Sequence, residues 1–193
     1  MSWGVKDTTS YFCEEPYAKT QYIAEYYNTM SAISYLIAGW YIYKVLKYYK
    51  IGISVICIGM GTMLLHGTQR YYGQWMDELS MLYFCFAVIQ KLNRRINDYF
   101  LGIIYGIYFI FRDYWIIFIL LFVGLVKYLF YLLKSRNKKY NKQSVYITKT
   151  IFTVSGILWL FDQLTCSITG NLYLHAVWHV GTAIAILYGV IYL

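Results

Sequence analysis

The alternation of apolar and polar positions divides the chain into seven apolar runs, near residues 22–43, 51–69, 76–92, 99–111, 114–133, 145–166 and 172–193, separated by short polar breaks. A helix needs roughly 20 apolar residues to cross the hydrocarbon core of a bilayer. Most of the runs approach that length, and the fourth, closed by Arg112 and Asp113, is the shortest. The pattern therefore predicts an all-α integral membrane protein: a bundle of seven transmembrane helices in a single domain over residues 1–193. Residues 1–21 form an N-terminal segment before the first span. Seven spans of about 20 residues take about 140 positions, so the loops must be short and no second domain fits.

Composition agrees with this reading. The chain is 60% hydrophobic and 13% charged, where soluble chains run about 45–50% and about 25%. A single proline and 21% aromatic residues exclude a disordered or collagenous chain. The net charge of +8 suggests nucleic acid only until its distribution is read. Lys44, Lys47 and Lys50 follow the first run; Lys91, Arg94 and Arg95 follow the third; Lys134, Arg136, Lys138, Lys139 and Lys142 follow the fifth. The alternate side holds Lys6, Lys19, Arg70 and Arg112. Basic loops of this kind face the cytosol, so the N-terminus is expected on the lumenal side, the C-terminus in the cytosol, and nucleic acid is not an expected partner. Met1 to Gln21 lacks the continuous apolar stretch of a signal peptide, which leaves targeting to the first span. The same topology puts Cys13 and Cys166 on the oxidising side, while Cys57 and Cys85 fall inside spans. A Cys13–Cys166 disulfide is therefore expected.

The candidate chemistry starts with histidine. The chain has three, and the topology brings all of them to one membrane depth: His66 near the lumenal end of the second run, His175 and His179 near the lumenal start of the seventh. Spacing i, i+4 puts His175 and His179 on one helix face. Three nitrogen ligands with one open position make a catalytic zinc site, which acidifies a water. The alternative is that the histidines are polar contacts between helices. Thr62 sits one turn before His66, where its hydroxyl either reaches a substrate oxygen or bonds back to the helix. Asp77 opens the third run at the same depth, as a proton carrier or as a helix cap.

These residues resemble a known family. Gly61-Thr62-Met63-Leu64-Leu65-His66, Met76-Asp77-Glu78-Leu79-Ser80-Met81 and His175-Ala176-Val177-Trp178-His179 look like the three signatures of the alkaline ceramidases, seven-span zinc amidases. Cys13-Glu14-Glu15-Pro16-Tyr17 and Tyr22-Ile23-Ala24-Glu25-Tyr26-Tyr27-Asn28-Thr29 are similar to that family's opening segment, and Trp159, Asp162 and Cys166 to its sixth span. The histidine signatures alone are shared with adiponectin-receptor-like proteins and other hydrolases of the superfamily; the N-terminal segment selects ceramidase.

The resemblance implies zinc ligands at His66, His175 and His179, Asp77 as proton shuttle, and Thr62 in place of a serine that steadies the oxyanion. It also implies a calcium site built from Glu14, Glu25 and the main-chain oxygen of Phe12. Tyr11 and Pro16 stand there where oxygen-bearing side chains are expected, so calcium is expected to bind weakly or not at all. The implied activity is hydrolysis of ceramide to a sphingoid base and a fatty acid, in the membrane of the endoplasmic reticulum or Golgi. Two other classes remain: another lipid hydrolase of the superfamily, and a non-catalytic receptor retaining a structural zinc.

Overall fold

The computed structural model describes residues 3–135, 142–169 and 172–193. Among them the chain is helical, with no strand and a lone bridge between Thr20 and Ile23. The helices are α1 (Tyr26–Ser31), α2 (Ile33–Lys44), α3 (Tyr49–Thr68), α4 (Tyr71–Leu92), α5 (Asp98–Ile110), α6 (Trp115–Ser135), α7 (Lys142–Leu164), α8 (Cys166–Thr169) and α9 (Leu174–Ile191). Four of these, α3, α6, α7 and α9, are long and apolar enough to cross a membrane. Large apolar side chains such as Ile37, Trp40, Ile103, Leu120, Val154, Phe161 and Ile184 point outward, while Glu25, Thr62, His66, Gln74 and Asp162 are buried. That inversion fits a protein whose exterior meets lipid.

The apolar runs and the helices differ in instructive places. The first run is broken at Ala32 into α1 and α2. Next to the break, the Ser31 hydroxyl donates to the Asn28 carbonyl at 2.8 Å and the Ser34 hydroxyl donates to the Ser31 carbonyl at 2.7 Å. Serine hydroxyls compete in this way with regular helix geometry. The fourth run is a helix of 13 residues, about 20 Å long and short of the about 30 Å hydrocarbon core. The third run begins earlier than its apolar residues do. α4 starts at Tyr71 because the polar Gln74 is buried against the N-terminal segment, where its side chain accepts from the Thr9 N–H and donates to the Thr9 hydroxyl. Of the basic loop after α6, Lys134 and Lys142 are described; Arg136, Lys138 and Lys139 lie outside the described residues.

The closest packing is between α3 and α4, with α2 on the other side of α3, and between α7 and α9. Glycine makes the α3–α4 seam. A β-carbon at Gly61 would strike the backbone of Asp77, and one at Gly73 would lie 2.5 Å from the amide nitrogen of Leu65. Small residues at such a crossing let the two backbones touch. The seam thereby brings the last turns of α3 against the second turn of α4.

Candidate metal centre

His66 comes from the last turn of α3, and His175 and His179 from the first turns of α9. All three are buried, and their ring centroids lie 4.5 to 5.0 Å apart. One nitrogen from each ring can be chosen so that all lie within 4.8 Å of one another. The structure brings the three histidines together.

Neighbouring side chains set which nitrogen is free. His66 Nδ1 lies 2.5 Å from Glu25 Oε2, and a carboxylate only accepts, so Nδ1 carries the proton and Nε2 carries the lone pair. That Nε2 is buried and has no hydrogen-bond partner among the described residues. His179 Nδ1 lies 2.7 Å from Ser31 Oγ. The Ser31 proton is already given to Asn28, so Ser31 accepts from Nδ1–H and again Nε2 keeps its lone pair. His175 Nδ1 stands 3.9 Å from Asp162, beyond hydrogen-bond reach. Three convergent imidazoles, two oriented by an oxygen behind them, suit a tetrahedral nitrogen-preferring metal such as zinc.

Glu25 is held where it can do this because the turn before α1 lies along the end of α3. Its N–H donates to the His66 carbonyl, and the Ala24 N–H donates to the Gly67 carbonyl, each at 2.9 Å. These are carbonyls that a helix end otherwise leaves without partners.

Asp77 and Thr62 meet on the same side. Thr62 Oγ1 is 2.7 Å from Asp77 Oδ1 and 2.8 Å from the Ile58 carbonyl. Asp77 does not cap α4, since Arg70 holds that position; the carboxylate sits in the second turn. Both residues, with His175 and His179, line a cavity of about 450 Å³ whose remaining walls are largely aromatic and aliphatic, including Phe118, Phe122 and Trp178. Tyr35, Met81, Phe122, Phe152 and Trp178 are shared with a narrower apolar cavity of about 80 Å³ that extends to Leu133 and Leu193.

The N-terminal segment closes the centre. The Cys13–Cys166 disulfide is present, as the topology led us to expect. Beside it the Phe12 ring lies 4.5 Å from the rings of both His66 and His175. The residues named for calcium are otherwise engaged. Glu14 accepts the Tyr27 and Asn28 N–H groups at 2.7 and 2.8 Å and so caps α1. Burial pushes its carboxyl above the usual range, against the pull of those two amides. Glu25 accepts from His66, from Asn28 Nδ2 at 3.0 Å and from Gln69 Nε2 at 2.7 Å. Glu15, Pro16 and Tyr11 are exposed. Calcium takes six to eight oxygens, and Glu14 and Glu25 bring two carboxylates that already accept five N–H bonds, a poor match for that ion.

Glu25 as the partner of His66, Ser31 as the partner of His179, and Gln69 are site residues that sequence reasoning did not place. Helix spacing carries no signal for contacts spanning 41 and 148 positions.

The family model described as Ceramidase matches residues 4–193. Alkaline ceramidase 1 of Mus musculus is 23% identical over 93% of this chain and 77% of its own length. Alkaline ceramidase 1 of Homo sapiens is 24% identical over 93% of this chain and 79% of its own. Alkaline ceramidase YPC1 of Saccharomyces cerevisiae is 34% identical over a shorter stretch, 42% of this chain and 28% of its own.

Proposed function

Because the chain belongs to the ceramidase family and is a ceramide amidohydrolase, we propose that it hydrolyses the amide with one zinc ion held by His66, His175 and His179. The observation that carries this reading is the Nε2 of His66, buried and without a hydrogen-bond partner among the described residues, set beside His175 and His179, which line the same cavity as Asp77. Zinc in that set supplies Lewis acidity, which polarises a carbonyl and lets a water lose its proton near neutral pH.

The protein does the rest. Glu25 and Ser31 hold the imidazoles in one tautomer. Asp77 takes the proton of the attacking water and returns it to the nitrogen of the departing sphingoid amine. Thr62 offers its hydroxyl to the amide oxygen as negative charge develops there. The apolar walls seat the hydrocarbon chains, and Phe12 keeps bulk water off the histidines. In this reading α1 with α2, then α3, α4, α5, α6, α7 and α9 are the seven spans of one domain, with the N-terminus lumenal, in the endoplasmic reticulum or Golgi. Glycosylation tags at the two ends should report opposite sides.

Purified protein incubated with ceramide, phytoceramide and phospholipid, with and without a zinc chelator, tests the proposal by mass spectrometry of the products. Release of sphingoid base that stops on chelation is expected. Ester cleavage of phospholipid, or amide cleavage untouched by chelation, would overturn it.

A further inference from the structure

Gln69 ends α3 in the left-handed region, at φ 52° and ψ 34°. Glycine is the usual residue at such a helix end, because a β-carbon is strained there. The backbone gives no reason for glutamine. Its N–H donates to the Leu65 carbonyl at 2.7 Å and its carbonyl accepts from Asp7 N–H at 3.3 Å, bonds that any residue would make. What glutamine adds is Nε2, which donates to Glu25 Oε1 at 2.7 Å from a position only 7% exposed.

Glu25 itself is 1% exposed, and among the described residues no lysine or arginine forms an ion pair with it, Lys6 acting on it only through space. A buried carboxylate is costly unless its oxygens are matched by donors. Here three N–H groups match them, His66 Nδ1 and Asn28 Nδ2 at Oε2 and Gln69 Nε2 at Oε1. Among the described residues Gln69 alone donates to Oε1. Without it, the carboxylate is free to turn about its own axis, and the direction in which His66 presents Nε2 turns with it.

We infer that Gln69 is a positioning residue of the metal centre. Its amide does for Glu25 what a bound cation would otherwise do, and fixes His66 through that carboxylate. This rests on the zinc reading above. Partners one step behind a metal ligand typically change metal affinity 10- to 100-fold; Gln69 stands one step further back, behind Glu25, so the low end of that range, about 10-fold, is expected here.

The test uses the full chain in detergent, stripped of metal, as wild type, Gln69→Ala and Gln69→Gly. Two quantities are read: the zinc dissociation constant, by competition with a chromophoric chelator, and the thermal midpoint of the metal-free protein. Glycine is at ease at φ 52° and alanine is not, so the glycine variant should unfold at the higher temperature of the two. Both should nevertheless lose zinc affinity alike, about 10-fold, and millimolar calcium should leave the wild-type zinc constant unchanged. Wild-type zinc affinity in both variants would overturn the role of Gln69 alone. So would a loss confined to the less stable alanine variant, which would make Gln69 merely structural. A wild-type protein that binds no stoichiometric zinc would overturn the metal centre and this inference together.

Discussion

Thr62 and Asp77 face each other across the α3–α4 seam, Oγ1 to Oδ1 at 2.7 Å, while the same hydroxyl reaches the Ile58 carbonyl at 2.8 Å. A hydroxyl has one proton. While Asp77 is ionised the two acceptors compete for it; once Asp77 holds a proton, Asp77 donates to Thr62 and Thr62 donates on to Ile58. Thr62 can therefore serve both states of a proton carrier without changing place. Thr62→Ser should keep most of the turnover. Thr62→Val keeps the shape and removes the hydroxyl, and should cost on the order of 10² in kcat, the range seen for lost oxyanion donors. Wild-type turnover in the valine variant would mean that the hydroxyl only bonds back to its helix.

The histidines and Asp77 should separate by readout. Alanine at His66, His175 or His179 is expected to abolish both zinc retention and hydrolysis, since a three-ligand site tolerates no vacancy. Asp77→Asn should retain zinc and lose turnover by about 10² to 10⁴, the share of general acid–base catalysis. Metal analysis by mass spectrometry beside product assays decides; stoichiometric zinc in all three histidine variants would refute the ligand set.

Gly61 sets the distance between those two groups, because any side chain there meets the Asp77 backbone. Gly61→Ala should push α4 away, lower stability by about 1–3 kcal/mol as overpacking does, and reduce turnover by moving Asp77 off Thr62. An unchanged thermal midpoint with unchanged kcat would show that the seam is slack.

The Cys13–Cys166 bridge closes a loop of 153 residues and carries Phe12 over the histidines. Removing a native disulfide costs about 2–5 kcal/mol. The double variant Cys13→Ser, Cys166→Ser should lose that stability, and its His66 amide should exchange with solvent faster because the Phe12 cover is loosened. Exchange at the wild-type rate would separate the cover from the bridge.

How much of the site is legible in the sequence follows from which contacts are local. Spacing i, i+4 on α9 and the order of apolar runs and polar breaks point to His66, His175, His179, Thr62 and Asp77, and to the pairing of Cys13 with Cys166 that the structure contains. Neither rule says how far a helix turns about its axis, so the partners behind the imidazoles are out of its reach. The family resemblance implies calcium at Glu25, whereas main-chain bonds to the end of α3 aim it at His66. Asp77 looks like a helix start because the apolar run starts there. The helix begins at Tyr71 instead, held by polar contacts to a segment more than sixty residues away in sequence.

Calcium gives the last prediction, and hydrogen-bond accounting decides its direction. Glu14 spends both oxygens on the Tyr27 and Asn28 amides, Glu25 spends both on His66, Asn28 and Gln69, and Glu15 is exposed. An ion binding here would have to share these oxygens with the five N–H donors already bonded to them, and each such bond it displaced is worth about 1.5–3 kcal/mol when one partner is charged. Calcium affinity also tracks the number of carboxylates offered, and only two are at hand. Activity should therefore withstand a calcium-selective chelator, gain nothing from added millimolar calcium, and fall only when zinc is removed. The same accounting expects Glu14→Ala to behave as the loss of a helix cap, lowering stability by about 0.5–2 kcal/mol with zinc affinity unchanged. Turnover that collapses on calcium chelation and returns at micromolar calcium would show that main-chain and water oxygens complete a cage around Glu14 and Glu25, and that the hydrogen bonds described here yield to it.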